Sequence, residues 1–227
     1  MSKNEYDNFI EHYDQYLKDE CKLKNEYLIY GPLSSAYWNS NIKILFCNLE
    51  PYKFTRDANG QIVTFDVMEK EGWIINRTIK KTAEQVYYLM DSIEKKIYNS
   101  KTEIKIKNTT DVLKRIAYLN WRPTKNKTGT INADMKNIYS WVDTLKDYYE
   151  KQIELLSPDV IFITGGQKGK TIFNKIYPDS KIKQNNLSVI KLKKKEAIVC
   201  FTTHPSRISN IELKSNTRKI KNFLKKI

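Results

Sequence analysis

Three polar side chains that could take part in chemistry stand at the ends of apolar runs lying far apart in the chain. They are the carboxylate of Glu50, the amide of Asn120 and the imidazole of His204, one of only two histidines. Short apolar runs rich in β-branched and aromatic residues are typical of strands buried on both faces. Parallel sheets bind ligands beyond the carboxyl ends of their strands, where these side chains would meet. The three runs read IKILFCNL, RIAYLN and AIVCFTTH.

A carboxylate, an amide and an imidazole in one cleft fit several chemistries. One His and one Glu without further ligands make a poor metal site, and the three cysteines are too scattered for a zinc or iron–sulfur site. Ser206 stands two residues from His204 and is poorly placed as the nucleophile of a triad. The segment GGQKGKT departs from the spacing of a phosphate loop. The residue types alone therefore leave the reaction open.

The segments between these runs predict the architecture. A further apolar run, DVIFITGG, predicts another strand, the pair Asn59-Gly60 indicates a turn, and the basic segment KIKQNNLSVIKLKKKE predicts a hairpin-like edge element. Strands that alternate with long helical crossovers indicate a mostly parallel sheet. We predict one α/β domain over 1–227, a three-layer sandwich whose central four-stranded sheet is flanked by helices, with an N-terminal helical arm over 1–30. Helical spacing of apolar residues predicts helices over 3–24, 78–98, 135–156, 167–177 and 210–226.

The charge balance favours a polyanionic partner. There are 40 basic and 26 acidic residues, so the formal net charge is +14, which favours nucleic acid through phosphate neutralisation. The bias of 34 lysines against 6 arginines, with abundant Asn and Ile, also fits genome composition, so charge does not decide function. No run approaches the roughly 18 apolar residues of a membrane helix, and the N-terminus is polar, without the apolar region of a signal peptide. We expect no membrane association and a cytoplasmic location.

Taken in chain order, the four strand ends resemble the motifs of the uracil-DNA glycosylase superfamily. They read NLEPY, YLNWRP, VIFITGG and HPSRIS, where the family has roughly G-Q-D-P-Y first and H-P-S-P-L-S last. The resemblance implies a single glycosylase-like domain that flips a base out of DNA and hydrolyses the N-glycosidic bond of uracil or a related damaged or modified pyrimidine. It also implies base excision repair, DNA as the partner, no metal or organic cofactor, and a monomer.

The resemblance assigns catalytic and base-binding roles. Glu50 matches the family aspartate that stabilises the cationic sugar and orients water, and His204 matches the histidine that donates to O2 of the departing base. Asn120 matches the base-reading amide, and Tyr52 matches the tyrosine that excludes a 5-methyl group. For base stacking the expectation is Phe65, with Phe54 in reserve. Each of these residues also has an ordinary structural role open to it, such as loop packing, turn formation or a bond to a carbonyl.

The resemblance further predicts contacts with the DNA backbone. Gly165, Gly166 and Gln167 match the turn that pinches the phosphates, and Ile208 falls where the family carries its apolar wedge, although it could equally anchor the loop. Pro205 and Ser206 would hold the His204 ring and bring backbone N–H groups near a phosphate. The cations expected around the rim are Arg56, Arg122, Lys168, Lys170 and Arg207.

Two other interpretations stay open. Glu50 replaces an aspartate, and the loop after it is longer than in the aspartate branch of the family, so the site could accept bulkier, hypermodified bases of foreign DNA. Alternatively the chain is a nucleic-acid-binding protein that keeps the pocket without efficient chemistry.

Overall fold

The computed structural model describes residues 3–24, 27–49, 59–75, 77–97, 111–124, 134–184 and 186–224. Its helices and strands alternate for most of this length, as the sequence predicts. The helices are α1 (Lys3–Asp19), α2 (Phe65–Lys70), α3 (Arg77–Ile97), α4 (Met135–Leu156), α5 (Gln167–Ile176) and α6 (Asn210–Leu224). The strands are β1 (Tyr27–Ile29), β2 (Ile44–Asn48), β3 (Asn59–Ile62), β4 (Ile116–Asn120), β5 (Val160–Ile163), β6 (Lys181–Gln184), β7 (Leu187–Lys191) and β8 (Glu196–Phe201).

The central sheet has the strand order β4-β2-β5-β8-β7-β6. The four predicted strands are β2, β4, β5 and β8, and all of them are parallel to their neighbours among the four. The basic segment predicted as an edge element forms β6 and β7, which pair antiparallel and extend the sheet from β8. The prediction of a mostly parallel α/β sheet is therefore confirmed, with six strands instead of four.

Helices cover both faces of this sheet because each carries one apolar stripe. On one face α4 contributes buried residues about one turn apart, among them Val142, Tyr149 and Ile153, and α5 packs beside it. On the other face α3 contributes Val86 and Leu89 beside α2 and α6. The result is the predicted three-layer sandwich, in which the parallel strands are buried on both faces.

Helix α1 covers the core instead of standing apart as an arm. Its buried residues Tyr6, Ile10, Tyr13 and Leu17 follow helical spacing and join the cluster beneath α4. The rings of Tyr13 and Tyr148 lie 5.1 Å apart, so aromatic packing fixes α1 on α4. The N-terminal segment is thus part of the helical layer.

The expected turn at Asn59-Gly60 is wrong, because both residues lie in β3. Strand β3 pairs in parallel with β1 and supplies backbone partners that outweigh the local turn preference. The chain after β1 runs beside β4, where the N–H of Tyr118 donates to the Gly31 carbonyl at 2.9 Å and the N–H of Leu33 to the Ile116 carbonyl at 3.0 Å. This segment covers an edge of the central sheet that would otherwise be open.

Within the described ranges, no helix has the length and apolar character needed to cross a membrane.

Helix α5 starts against the end of β5, and Gly169 permits this contact. A Cβ atom at Gly169 would lie 2.0 Å from the Thr164 carbonyl oxygen. We expect Gly169→Ala to lower the free energy of unfolding by about 3 kcal/mol, since a backbone atom cannot yield as a side chain does, despite the better helix propensity of alanine. Urea unfolding measures this. Gly72→Ala is the control, because Gly72 has a positive φ in its turn but an added Cβ there would meet no atom within 4 Å. It should lower the free energy of unfolding by less than Gly169→Ala does. Equal decreases for the two variants would contradict the close approach of Gly169 to the Thr164 carbonyl.

Candidate functional site

The carboxyl edge of the parallel sheet carries a row of polar side chains. Asn48 of β2 pairs in register with Asn120 of β4. Cys47 of β2 pairs with Ile163 of β5, which pairs in turn with Phe201 of β8. The residues that follow these two strands, Thr164 and Thr202, therefore lie at the same level as Asn48. The Thr164 hydroxyl donates to the Asn48 side-chain oxygen at 2.9 Å. We call these four residues, Asn120, Asn48, Thr164 and Thr202 in sheet order, the polar row.

An aromatic layer lies directly below the polar row on the same face of the sheet. The ring of Phe46 stacks on that of Tyr118 at 5.8 Å and on that of Phe162 at 4.8 Å. Each of the three precedes a residue of the row by two positions, as the alternation of strand side chains requires. The polar row is therefore the boundary between the apolar core and the open edge.

A crevice is expected above the middle of the row. After β2 the chain returns to this sheet at β4, on one side of β2, whereas α5 leads from β5 toward β6 on the other side. The chain therefore leaves these neighbouring strands in opposite directions, and open α/β sheets bind ligands at such a point. Leu49 follows β2 and touches the Gly165 turn: a Cβ at Gly165 would lie 2.9 Å from the Leu49 Cδ1 atom. Gly165 and Gly166 have φ of +92° and +59°, conformations that favour glycine.

Asn120 is the last residue of β4 and is mostly buried, so its amide is held by the sheet and does not form a turn. Its side chain interacts with the hydroxyl of Tyr30; burial raises the pKa of Tyr30 and the Asn120 amide partly offsets that rise. Gln152 Nε2 donates a hydrogen bond to the Tyr30 carbonyl at 2.6 Å and a second one to the Tyr6 hydroxyl at 3.0 Å. Helices α1 and α4 thus hold the neighbour of Asn120.

His204 lies in a tight turn after β8, and its own loop fixes its tautomer. The backbone N–H of Ser206 donates to His204 Nδ1 at 3.3 Å, and the Ser206 hydroxyl lies 2.8 Å from the same atom. Because a backbone amide only donates, Nδ1 is the unprotonated nitrogen and the neutral ring carries its proton on Nε2. The His204 carbonyl accepts from the N–H groups of Arg207 and Ile208 at 2.8 and 3.1 Å.

The surroundings of His204 favour this neutral form. Burial lowers the pKa of the imidazole below its ordinary value, and the neighbouring Arg207 guanidinium lowers it further. Both effects disfavour a second positive charge in the loop. At neutral pH His204 is therefore a hydrogen-bond donor through Nε2, and its protonated form is the minor one.

The His204 loop is tied to α6 by Glu212, a residue the sequence analysis did not select. Glu212 Oε1 accepts from the Thr203 N–H at 2.9 Å and from the Thr202 hydroxyl at 3.1 Å, and Oε2 accepts from the Thr203 hydroxyl at 2.8 Å. The Glu212 N–H in turn donates to the Ser209 hydroxyl at 3.1 Å. The spacing Ser-x-x-Glu at the beginning of a helix is a capping-box signal, and it could have identified Glu212.

The first two isoleucines after His204 have opposite environments. Ile208, the expected wedge, is only 6% exposed, as its alternative role of loop anchor requires. Ile211, at the beginning of α6, is 82% exposed. Arg207 is exposed as well. The aliphatic group that solvent reaches beside the His204 loop is thus Ile211.

The glycine turn lies at the same edge as His204. The Gly166 N–H donates to the Thr202 carbonyl at 3.0 Å and so joins the loops after β5 and β8. Gln167 begins α5 directly after it and is exposed, and Lys168 is exposed too. Pro205 is buried under the turn and Ser206 is partly buried.

One expected base-stacking residue is not brought to this edge. Phe65 is buried in the core, with Lys114 Nζ 4.8 Å from its ring centroid and its N–H bonded to the Leu33 carbonyl. Leu33 pairs with Ile116, the first residue of β4, so Phe65 lies at the opposite end of that strand from Asn120. Apolar packing has placed it in the core, out of reach of a base at the rim.

Arg122 was expected as a cation at the rim, and this expectation is wrong because the residue is buried. Its residue surface is only 1% exposed, and its Nε donates to the Thr124 hydroxyl at 2.9 Å. Arg122 comes two residues after the end of β4, and its side chain is buried instead of exposed to solvent. Glu50, Tyr52, Phe54 and Arg56 lie outside the described residues, so their predicted roles stay predictions.

Among the residues that the structure describes, no group of three or more His, Cys, Asp or Glu is arranged to hold a metal ion. Cys47 and Cys200 are buried in the core, as expected of small apolar side chains. The chain matches no protein-family model, and no significant match to a curated protein is found.

The pKa of His204 can be measured directly because the chain has only one other histidine, His12. In an NMR pH titration we expect the His204 ring to titrate below about 6.5, the value of a free side chain, with the Nε2–H tautomer visible in its ¹⁵N shifts. Arg207→Gln should raise this midpoint, since it removes the nearby positive charge. His12→Gln assigns the two signals. A midpoint at or above the free value, or an Nδ1–H tautomer, would contradict the loop geometry.

Proposed function

We propose that this protein is a DNA glycosylase that hydrolyses the bond between deoxyribose and uracil or a related pyrimidine. The observation that carries the proposal is the His204 loop: its imidazole is kept neutral, with Nδ1 tied to Ser206 and the proton on Nε2. This donor stands at the same edge of the sheet as the Asn120 amide. The resemblance of the four strand ends to the uracil-DNA glycosylase superfamily supports the same conclusion.

The proposed reaction breaks the C1′–N1 bond, and the bonding electrons leave with the base. Negative charge then develops on the pyrimidine oxygens, where the Nε2–H of His204 would donate a hydrogen bond to O2. The sugar becomes cationic at C1′, and Glu50 would stabilise this charge and orient the attacking water. Water supplies hydroxide to C1′ and a proton to the departing base, which leaves an abasic site.

Asn120 would select the base by pairing with its edge. A side-chain amide accepts from uracil N3–H and donates to O4, whereas cytosine presents the reverse pattern. Because Asn120 is mostly buried, a mismatched base would leave polar groups unpaired, which costs binding free energy.

Binding of the DNA backbone would use the loops on either side of the crevice. The N–H groups at the beginning of α5 face the same edge as the exposed Arg207 and Lys168, and helix N-termini favour phosphate. The formal charge of +14 adds long-range attraction for a polyanion.

The central test is release of uracil from single- and double-stranded oligonucleotides, detected as alkali-labile strand breaks. We expect His204→Ala to reduce the single-turnover rate by about 10²–10³-fold, the usual effect of removing one donor to a developing anion. His12→Ala, which removes the other histidine from the exposed face of α1, should leave the rate unchanged. A wild-type protein that releases no uracil would contradict the proposal, and so would a His204→Ala protein with full activity.

The two isoleucines give a second test. We expect Ile211→Ala to weaken cleavage of double-stranded DNA about tenfold and to leave single-stranded cleavage nearly unchanged, because an exposed aliphatic group is available to fill the stack left by a flipped base. Ile208→Ala should instead lower thermal stability, since it removes buried volume. Equal effects of Ile211→Ala on both forms of DNA would contradict the wedge assignment.

A further inference from the structure

A series of side-chain hydrogen bonds connects a lysine of α6 with the loop that carries His204. Lys219 Nζ donates to Asn186 Oδ1 at 2.9 Å, and Asn186 Nδ2 donates to Asn216 Oδ1 at 2.8 Å. Asn216 Nδ2 donates to the Thr202 hydroxyl at 3.4 Å, and this hydroxyl donates to Glu212 Oε1 at 3.1 Å. We call these five residues the asparagine bridge.

The two charged ends of the asparagine bridge fix the direction of every bond in it. An ammonium group only donates hydrogen bonds, and a carboxylate only accepts them. Asn186 must therefore turn its oxygen to Lys219 and its amide protons to Asn216, and Asn216 must turn its own amide protons to Thr202. The Thr202 proton is then left for Glu212. All four bonds run from the positive end to the negative end, an arrangement in which each bond polarises and strengthens the next.

The asparagine bridge joins three separate segments of the fold. Glu212, Asn216 and Lys219 are about one turn apart on α6 and therefore neighbours on one side of the helix. Asn186 lies between β6 and β7, and Thr202 directly follows β8. Asn216 is 2% exposed and Thr202 is 1% exposed. A break in the bridge would leave buried polar groups unpaired, which costs more free energy than the loss of an exposed bond.

The Glu212 end of the asparagine bridge holds the backbone next to His204. Glu212 Oε1 also accepts from the Thr203 N–H at 2.9 Å, and its Oε2 accepts from the Thr203 hydroxyl at 2.8 Å. Because Thr203 and His204 are consecutive, a rotation of the Glu212 side chain would shift the backbone that carries the imidazole. Oε1 has one donor from the bridge and one from the loop, so the bridge determines where the carboxylate meets the loop.

We propose that Lys219, Asn186 and Asn216 are positioning residues, which orient the Glu212 carboxylate and so keep the His204 ring in its catalytic position. They act through Glu212 and the loop, and not by contact with the base. The catalytic part of this inference rests on the proposed function. The ordering of the loop by the asparagine bridge does not depend on that function.

The first experiment measures the order of the loop by amide hydrogen exchange, without DNA. Lys219→Met removes the positive end of the bridge and should speed exchange of the Thr203 N–H about tenfold, the effect of losing one net hydrogen bond. The Val199 N–H inside β8 should exchange as in the wild type, which excludes a change in global stability. Lys219→Arg keeps a cationic donor and should retain slow exchange at Thr203.

Lys214→Met is the matched control for this experiment. Lys214 is an exposed lysine of the same helix, so its replacement removes the same charge outside the bridge. Thr203 should exchange at the wild-type rate in Lys214→Met. The inference is wrong if Lys219→Met also keeps the wild-type rate, or if the two lysine variants change it equally.

A further variant separates the bonds of the bridge from simple attraction between its charged ends. Asn186→Ala removes the middle of the bridge and leaves Lys219 and Glu212 in place, and the Asn186 carbonyl keeps its bond from the Phe201 N–H. We expect the same faster exchange of Thr203 as in Lys219→Met. The double variant should exchange little faster than Asn186→Ala alone, because both substitutions interrupt one path. Wild-type exchange in Asn186→Ala would contradict the inference. Lys219 is partly exposed, so Lys219→Met keeps the test available if Asn186→Ala does not fold.

The last experiment measures catalysis as the single-turnover rate of uracil release, together with the Kd for the uracil-containing oligonucleotide. Lys219→Met and Asn186→Ala should each lower the rate about tenfold, again the effect of one net hydrogen bond. Their Kd values should match those of Lys214→Met and the wild type respectively, since a positioning residue does not bind DNA. Weaker binding at an unchanged rate would overturn the positioning role.

These outcomes are separable from those of the proposed function. If the variants speed exchange of Thr203 but the wild type releases no uracil, the glycosylase proposal fails and the ordering of the loop by the asparagine bridge stands. If the wild type, Lys219→Met and Asn186→Ala all release uracil at one rate, the positioning role alone is overturned.

Discussion

The parallel register of β4, β2, β5 and β8 is the constraint on which the rest of this structure depends. Because the strands run in one direction and pair without offset, each presents its last side chain at the same height. Asn120 and His204 are 84 positions apart in the chain, yet the register brings both to one edge. Adjacent strands are about 4.8 Å apart, so the four ends span roughly 14 Å. A slip of one residue in β4 would turn Asn120 toward the opposite face.

Helices on both sides of the sheet convert this alignment into fixed side chains. Glu212 of α6 binds the two residues that precede His204, and Gln152 of α4 binds the carbonyl of Tyr30 beside Asn120. Hydrogen bonds that involve a carboxylate or lie in the interior are stronger than exposed ones. The candidate site is therefore held by residues that would not contact a ligand themselves, a common arrangement where geometry must be kept within a fraction of an ångström.

The sequence predicted the sheet better than it predicted the site. Continuous apolar runs identify buried parallel strands, and α4 begins and ends where its periodicity indicates, at Met135 and Leu156. The turn signal of Asn59-Gly60 failed because β1, a partner in tertiary structure, was not visible from the local pattern. Phe65 failed for a similar reason: an aromatic residue at a suitable distance in sequence is equally suited to the core, and only packing decides between the two.

The protonation state of His204 decides what kind of catalyst this edge can be. A general acid is most effective when its pKa lies near the working pH. Burial and the Arg207 guanidinium instead lower the pKa of His204, which moves it away from neutral pH. The ring is thus unsuited to deliver a proton at neutral pH and suited to hold one in a hydrogen bond. In a chain with a formal charge of +14, the surrounding field favours an anionic leaving group without a proton from His204. A departing base stabilised as an anion by a neutral donor is the chemistry that these electrostatics favour.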